Sequence, residues 1–283
     1  MSNKYNKINK KNKKYILLFL FILSSCLIIG KNLDNIYIFK KQETSEEVKP
    51  SNSASVDTNS DSEKNSKNTI ETYLREKYKI DDTTYTENGV TYVKNLGDIG
   101  VFVSKKRSLP SSYEPEGLLP VKIPFCRINF SKENMMVKDA AKAVEKLVAD
   151  AEEEGIYFKG VSAYRSYNTQ ETTYSYISKT KGEEHADVYS ARPGQSEHQT
   201  GLSIDLGIRS LNYDLNENFV DTKEGVWLSK NCSRYGFIIR YPKGKEHITG
   251  YSFEPWHIRY VGVELAKYLM GNNLTLDEFY DFK

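Results

Sequence analysis

The sequence predicts an α+β domain, and two kinds of periodicity predict it. Ala140, Ala141, Val144, Leu147, Val148 and Ala151 recur at helical spacing, and Gly155 follows as a stop signal. Elsewhere the period is two. Leu202, Ile204 and Leu206 alternate with Ser203, Asp205 and Gly207, as in a strand with one apolar face. Phe237, Ile239 and Tyr241 alternate in the same way, ahead of what reads as a hairpin connection from Pro242 to Gly250. Asn168 with Glu171 three residues later reads as a capping box that starts a helix just after Arg165, and Thr275 with Glu278 marks a short final helix.

Four segments precede or form this domain. Residues 1–14 carry six lysines and no acid, and they lead into an apolar run from Tyr15 to Ile29 broken only by Ser24, Ser25 and Cys26. A basic flank before such a run is an export signal that holds the N-terminus in the cytoplasm. Residues 15–30 are therefore expected to be a signal anchor or signal peptide that tethers the protein to the membrane. Leu23-Ser24-Ser25-Cys26 also resembles a lipobox, which would make Cys26 a lipidated first residue. The apolar Leu27, Ile28 and Ile29 that follow favour an uncleaved anchor. Residues 31–69 are expected to be a disordered linker, because Lys41 to Asn68 are Ser, Asn, Lys, Glu and Asp rich without an aromatic residue and cannot bury enough apolar surface to offset the entropy of ordering. Residues 70–283 are long enough for one domain with a sizeable core. That domain is expected on the outer face of a bacterial membrane, within reach of the cell wall, as a monomer.

Removing the six N-terminal lysines from the formal charge of +2 leaves −4 over the rest. A nucleic-acid partner is not expected, because such domains are usually basic. Cys126 and Cys232 stand alone in sequence. In an exported protein they could pair, and two free, packed thiols are an equal alternative.

Chemistry concentrates in the C-terminal third. His198 and Asp205 lie in SEHQTGLSIDLG, and Glu254 and His257 lie about fifty residues later in EPWHIRYVG. Together they amount to three zinc ligands and a spare carboxylate. A hydrolytic zinc site uses three protein ligands, leaves a fourth position for water, and needs a nearby base that is not a ligand. Asp205 points away from the apolar face of its strand, and Pro255 restricts Glu254 to extended backbone, so Glu254 and His257 flank a stiff bend. A histidine followed seven residues later by aspartate is weak evidence alone, and this is not the His-Glu-x-x-His pattern. His185, in the polar stretch GEEHADVYS, reads as a solvated loop residue, and His247 as part of the hairpin connection. Neither is expected to be a ligand.

Three longer stretches carry a resemblance: SAYRSYNTQ (residues 162–170), ARPGQSEHQTGLSIDLG (residues 191–207) and YGFIIRYPKGKEHITGYSFEPWHIRYVG (residues 235–262). They resemble, in order and spacing, the signature blocks of VanY-type zinc D-alanyl-D-alanine carboxypeptidases, which share a core fold with lysostaphin-like peptidases and the hedgehog signalling domain. The resemblance runs from about Val101 to the C-terminus. It implies a central antiparallel sheet carrying the zinc site, with flanking helices. It implies that His198, Asp205 and His257 bind one zinc ion, that Glu254 is the catalytic base, and that Arg165 points into the site and holds substrate. Gln170, Ser196, Tyr241 and Trp256 match cleft-lining positions, although aromatic residues usually pack first. Ala163 stands where the family usually has glycine and Ser203 where it has alanine. Neither change removes a functional group.

The resulting expectation is a zinc carboxypeptidase that removes the terminal D-alanine from peptidoglycan stem peptides. L,D-carboxypeptidase action on tetrapeptide stems is the alternative within enzymes, and a non-catalytic wall-binding module of the same fold is the alternative outside them.

Overall fold

A computed structural model describes residues 69–126 and 132–280. The basic segment, the apolar run and all but the last residue of the expected linker lie outside the described residues. Thr69 is already helical, in α1 (residues 69–77). Among the described residues no helix is long and apolar enough to cross a membrane.

The sheet that matters for function has four antiparallel strands in the order β5 (Lys159–Ser162), β6 (Ser203–Gly207), β8 (His257–Tyr260), β7 (Phe237–Ile239). Two small antiparallel pairs accompany it, β1 (Thr84–Glu87) with β2 (Val90–Val93), and β3 (Leu118–Pro120) with β4 (Met135–Val137). Helix α2 (Lys138–Glu153) buries the stripe Ala140, Ala141, Val144, Leu147, Val148 and Ala151. These pack with Leu202, Ile204, Leu206, Phe237, Ile239 and Ile258, and with Trp227 and Leu228 of α5 (Lys223–Asn231), into one core cluster. The helix gives way to Gly155 at φ +74°, a left-handed conformation that costs glycine little.

A second cluster lies on the other side of β7. Ile238 joins Leu74 and Tyr78 of the N-terminal region with Leu265 and Leu269 of α7 (Val263–Gly271) and Leu276 and Phe279 of α8 (Leu276–Phe279). Strand β7 is thus buried on both faces, and so is β6, whose five residues are all buried. The alternation in β6 is real, but its polar residues are buried as well, Ser203 against Glu197 and Asp205 between His198 and His257.

Several local expectations are corrected. Helix α3 (Tyr167–Lys181) starts earlier than the Asn168–Glu171 pattern suggests, because the extended Ser166 is the N-cap and its Oγ accepts from the Thr169 amide at 3.2 Å. His185 is not in a loop but on helix α4 (Glu183–Tyr189), against Tyr189 at 4.5 Å between ring centroids. His247 lies on a one-turn helix, α6 (Glu246–Thr249), inside the connection between the antiparallel neighbours β7 and β8, so the hairpin connection holds and carries a helical turn; Gly250 ends it at φ +76°. Thr275 and Glu278 do form a reciprocal capping box at α8. Cys126 and Cys232 do not form a disulfide, and burial pushes the Cys232 thiol up to about 12.

Candidate active site

Strand register builds the site. Asp205 of β6 lies directly opposite His257 of β8 on one side and Ser162 of β5 on the other. Directly opposed residues project to the same face, with Cβ atoms about 5 Å apart. The third member, His198, comes from the 3-10 turn Glu197–Thr200 that ends at Gly201 in the left-handed conformation, φ +67°, immediately before β6. A chain reversal that tight returns His198 over the strand it precedes.

The outcome is a convergent donor set. His198 Nε2 is 3.2 Å from Asp205 Oδ2, and His257 Nδ1 is 3.0 Å from Asp205 Oδ1. The two imidazoles meet nearly edge to face at 4.9 Å. One ligand atom from each of the three buried residues lies within 4.8 Å of the others, so together they could hold a metal ion. His198 Nδ1 donates to the Ala163 carbonyl at 2.6 Å, which leaves its Nε2 lone pair facing the cluster. The rings and the carboxylate thus suit a small divalent cation such as zinc. Burial would raise Asp205, but the flanking histidines hold its carboxyl well below the usual range.

Glu254 sits beside the cluster and outside it. Its amide donates to the Tyr241 carbonyl at 3.0 Å, and the His257 amide returns to the Glu254 carbonyl at 3.2 Å, closing the bend over Pro255 and Trp256. Its Oε2 is 3.9 Å from His257 Nδ1. Burial pushes the Glu254 carboxyl up to about 7, in spite of the opposing pull of His257. A carboxylate poised there suits proton transfer near neutral pH.

Arg165 faces the same group, with Nη2 3.8 Å from Asp205 Oδ2. Its backbone amide donates to the His198 carbonyl at 3.1 Å, tying the arginine turn to the histidine turn. Its Nη1 and Nη2 donate to Gln170 Oε1 and Ser162 Oγ, both at 2.9 Å. Ser196, Tyr241 and Trp256 line the cleft of about 470 Å³ that also contains the histidines, Asp205, Glu254 and Arg165. Tyr241 is also a packing residue, 4.8 Å from the Tyr251 ring and 5.1 Å from His257. Gln170 differs from expectation: it is not in the cleft wall. It is fully buried on the inner face of α3, where its amide donates to the Ala191 carbonyl at 2.6 Å and to Ser190 Oγ at 3.2 Å while its oxygen accepts from Arg165. It touches the arginine that faces the cleft, not the cleft.

Sequence reasoning missed Ser162 and Glu197. Glu197 is entirely buried, with Oε2 3.4 Å from His257 Nε2. Its one signal was adjacency to His198. Arg240 and Arg259, which hold it, carried a clearer one: each is a charge in or beside a strand whose neighbours are apolar.

A family model for VanY, D-alanyl-D-alanine carboxypeptidase, matches residues 133–263. The chain is 35% identical over 275 residues, 97% of its length and 98% of its relative's, to the putative carboxypeptidase YodJ of Bacillus subtilis (strain 168). The LdcB LD-carboxypeptidase superposes with a TM-score of 0.68 at 40% identity, covering 71% of this chain and 94% of that one. A mutant of the D,D-pentapeptidase VanY from a VanB-type vancomycin-resistance cassette, solved in complex with Zn(II), superposes with a TM-score of 0.52 at 29% identity over 63% of this chain and 97% of that one. The fold and site define a carboxypeptidase. The chain belongs to the VanY D-alanyl-D-alanine carboxypeptidase family.

Proposed function

We propose that this chain is a zinc-dependent carboxypeptidase that removes the terminal D-alanine from peptidoglycan stem peptides. The observation that carries the reading is the convergence, in one cleft, of His198, Asp205 and His257 with a carboxyl and a guanidinium that belong to neither ligand set nor core. His198, Asp205 and His257 would hold the zinc. Zinc bound there would supply Lewis acidity toward a peptide carbonyl and make a water molecule easier to deprotonate. Glu254 takes the proton from the attacking water and passes it to the departing amine of the terminal residue, so the peptide C–N bond breaks and the proton count balances. Arg165 binds the substrate's C-terminal carboxylate, because a guanidinium held by Gln170 and Ser162 keeps donors for a planar, bidentate partner. Ser196, Tyr241 and Trp256 contact the substrate along the cleft.

A specific observation favours a second reading, L,D-carboxypeptidase action on tetrapeptide stems: a solved LD-carboxypeptidase shares 40% identity with this chain over 71% of this chain's length. Both reactions use the same metal site and differ in the stereochemistry accepted before the scissile bond. Incubating the chain with defined tripeptide, tetrapeptide and pentapeptide stems and weighing the products separates them. Loss of 71 Da, about one alanine residue, from the pentapeptide alone supports the D,D reading; loss from the tetrapeptide alone supports the other; loss from neither removes both. The reading further places residues 70–283 outside the cytoplasmic membrane as a monomeric domain, tethered by residues 15–30.

A further inference from the structure

Glu197 takes no part in the chemistry proposed above, yet it lies against His257. Its Oε1 accepts from Arg240 Nε at 2.8 Å and from Arg259 Nη1 at 2.9 Å. Its Oε2 accepts from Ser203 Oγ at 3.3 Å and lies 3.4 Å from His257 Nε2. Both arginines are fully buried and are themselves fixed. Arg259 donates to the carbonyls of Tyr260, Ile99 and Val101 at 3.0, 3.2 and 2.7 Å, and Arg240 is paired with Asp277 of α8. Two guanidiniums and two carboxylates balance in charge, so Glu197 stays ionised although it is out of water.

The direction of this carboxylate has a consequence for His257. A neutral imidazole carries one proton, and the hydrogen bond made by one nitrogen decides which nitrogen presents its lone pair. Asp205 Oδ1, 3.0 Å from Nδ1, competes for that proton; with the Asp205 carboxylate turned to a metal, the anionic acceptor at Nε2 would keep the proton there and leave the Nδ1 lone pair toward the cluster. The Ala163 carbonyl does the converse for His198, fixing the proton on Nδ1 and leaving Nε2. The two histidines therefore offer opposite nitrogens to one point, and each needs its own acceptor behind it.

We infer that Glu197 is a positioning residue for the metal site: it holds His257 in the Nε2–H tautomer and ring orientation that present Nδ1 to the metal, and Arg240 and Arg259 hold Glu197 in turn. This rests on the zinc reading above. Carboxylates behind a ligating histidine typically contribute ten- to a hundredfold to metal affinity.

The test compares zinc dissociation constants of the full chain, Glu197→Asp and Glu197→Gln, by competition with a chromophoric chelator, with circular dichroism of each metal-free protein alongside. Glu197→Asp keeps the charge that balances the arginines but withdraws the carboxylate by one methylene. It is expected to fold, to bind zinc about ten to a hundred times more weakly, and to show an altered visible spectrum when loaded with Co(II). At saturating zinc its KM should match the parent's. Glu197→Gln should weaken zinc at least as much if it folds; if it does not, Glu197→Asp alone decides. Zinc binding by a folded Glu197→Asp within threefold of the parent overturns the inference, as does a metal-free Glu197→Asp that is unfolded, since Glu197 then serves folding only. Failure of the unmodified chain to bind zinc would instead remove the zinc reading itself.

Discussion

Two carboxylates lie within reach of His257 on its metal side, and their surroundings give them different work. Asp205 meets both histidines and stays ionised; Glu254 touches only the edge of the group, and burial raises it to about 7. Glu254→Gln should therefore keep its zinc and lose on the order of a hundredfold or more in kcat, the scale of a general base. His257→Ala should lose metal and activity together, read by metal content and turnover on the same samples. A Glu254→Gln protein with full turnover would require another base. The raised carboxyl also fixes a sign for pH. The base works as carboxylate, so kcat/KM should climb about tenfold per pH unit below roughly 7 and level off above it. A bound cation would draw that limb lower. In the metal-free chain the unfolded carboxyl ionises near 4.5 and the folded one near 7, so the stabilisation from the protonated form is complete below 4.5 and lost as pH rises through 7. Metal-free Glu254→Gln should then melt higher than the parent at pH 8 and level with it at pH 4. Arg165 yields a further test. A half-buried guanidinium whose remaining donors lose their carboxylate partner to an amidated C-terminus costs about 1 to 3 kcal/mol. Amidated stems should be cleaved roughly ten to a hundred times less efficiently than free acids, and Arg165→Ala should erase the difference. Equal cleavage of both by the parent would assign Arg165 to the scissile carbonyl.

At the scale of elements, the parts that sequence made legible are those whose cause is local. The α2 stripe, the alternations of β6 and β7, the Thr275 cap and the Pro255 bend each follow from a few adjacent residues, although Tyr241, expected in the second strand, lies two residues past the end of β7. What was not legible depends on register and distant partners. Nothing local says that Asp205 pairs with His257, that Gln170 turns inward to hold Arg165, or that Glu197 is clasped by arginines 43 and 62 residues away. The capping pattern at Asn168 misled because the extended Ser166, two residues earlier, already caps the helix through the Thr169 amide, so Asn168 and Glu171 fall inside its first turns. Gly201 shows how an element terminus carries function. It sits at φ +67° between His198 and β6, and an added Cβ would come within 2.9 Å of Leu118 Cδ2 and 3.2 Å of Val137 Cγ1. Gly201→Ala combines left-handed strain of about 1 to 2 kcal/mol with crowding from β3 and β4. A fall in melting temperature on the order of 5 °C is expected for a domain of this size, together with weaker zinc binding because His198 shifts. An unchanged melting temperature would mean that the turn relaxes freely.

Over the whole molecule, the reading joins a domain whose chemistry suits the cell wall to an N-terminus whose composition suits a membrane. Residues 1–14 are basic, and the apolar run Tyr15 to Ile29 spans fifteen residues. As a helix it would extend about 22 Å, less than the roughly 30 Å hydrocarbon core, which is why an uncleaved anchor, a cleaved signal and a lipidated Cys26 compete. Each predicts a different fate for the chain. Expressed in a bacterium and fractionated, the full chain should sediment with membranes, resist extraction by high salt or alkali, and dissolve in detergent, whereas a chain lacking residues 1–40 should be soluble in the cytoplasm. Protease added to intact protoplasts should remove residues 70–283, since lysines before the apolar run keep the other end inside. Cys26→Ala distinguishes the tethers: unaltered membrane association supports the uncleaved anchor, and release supports lipidation. A mature protein that begins after the apolar run and appears in the medium would identify a cleaved signal, and recovery of the full chain in the cytoplasm would remove the wall substrate from reach and the localisation with it.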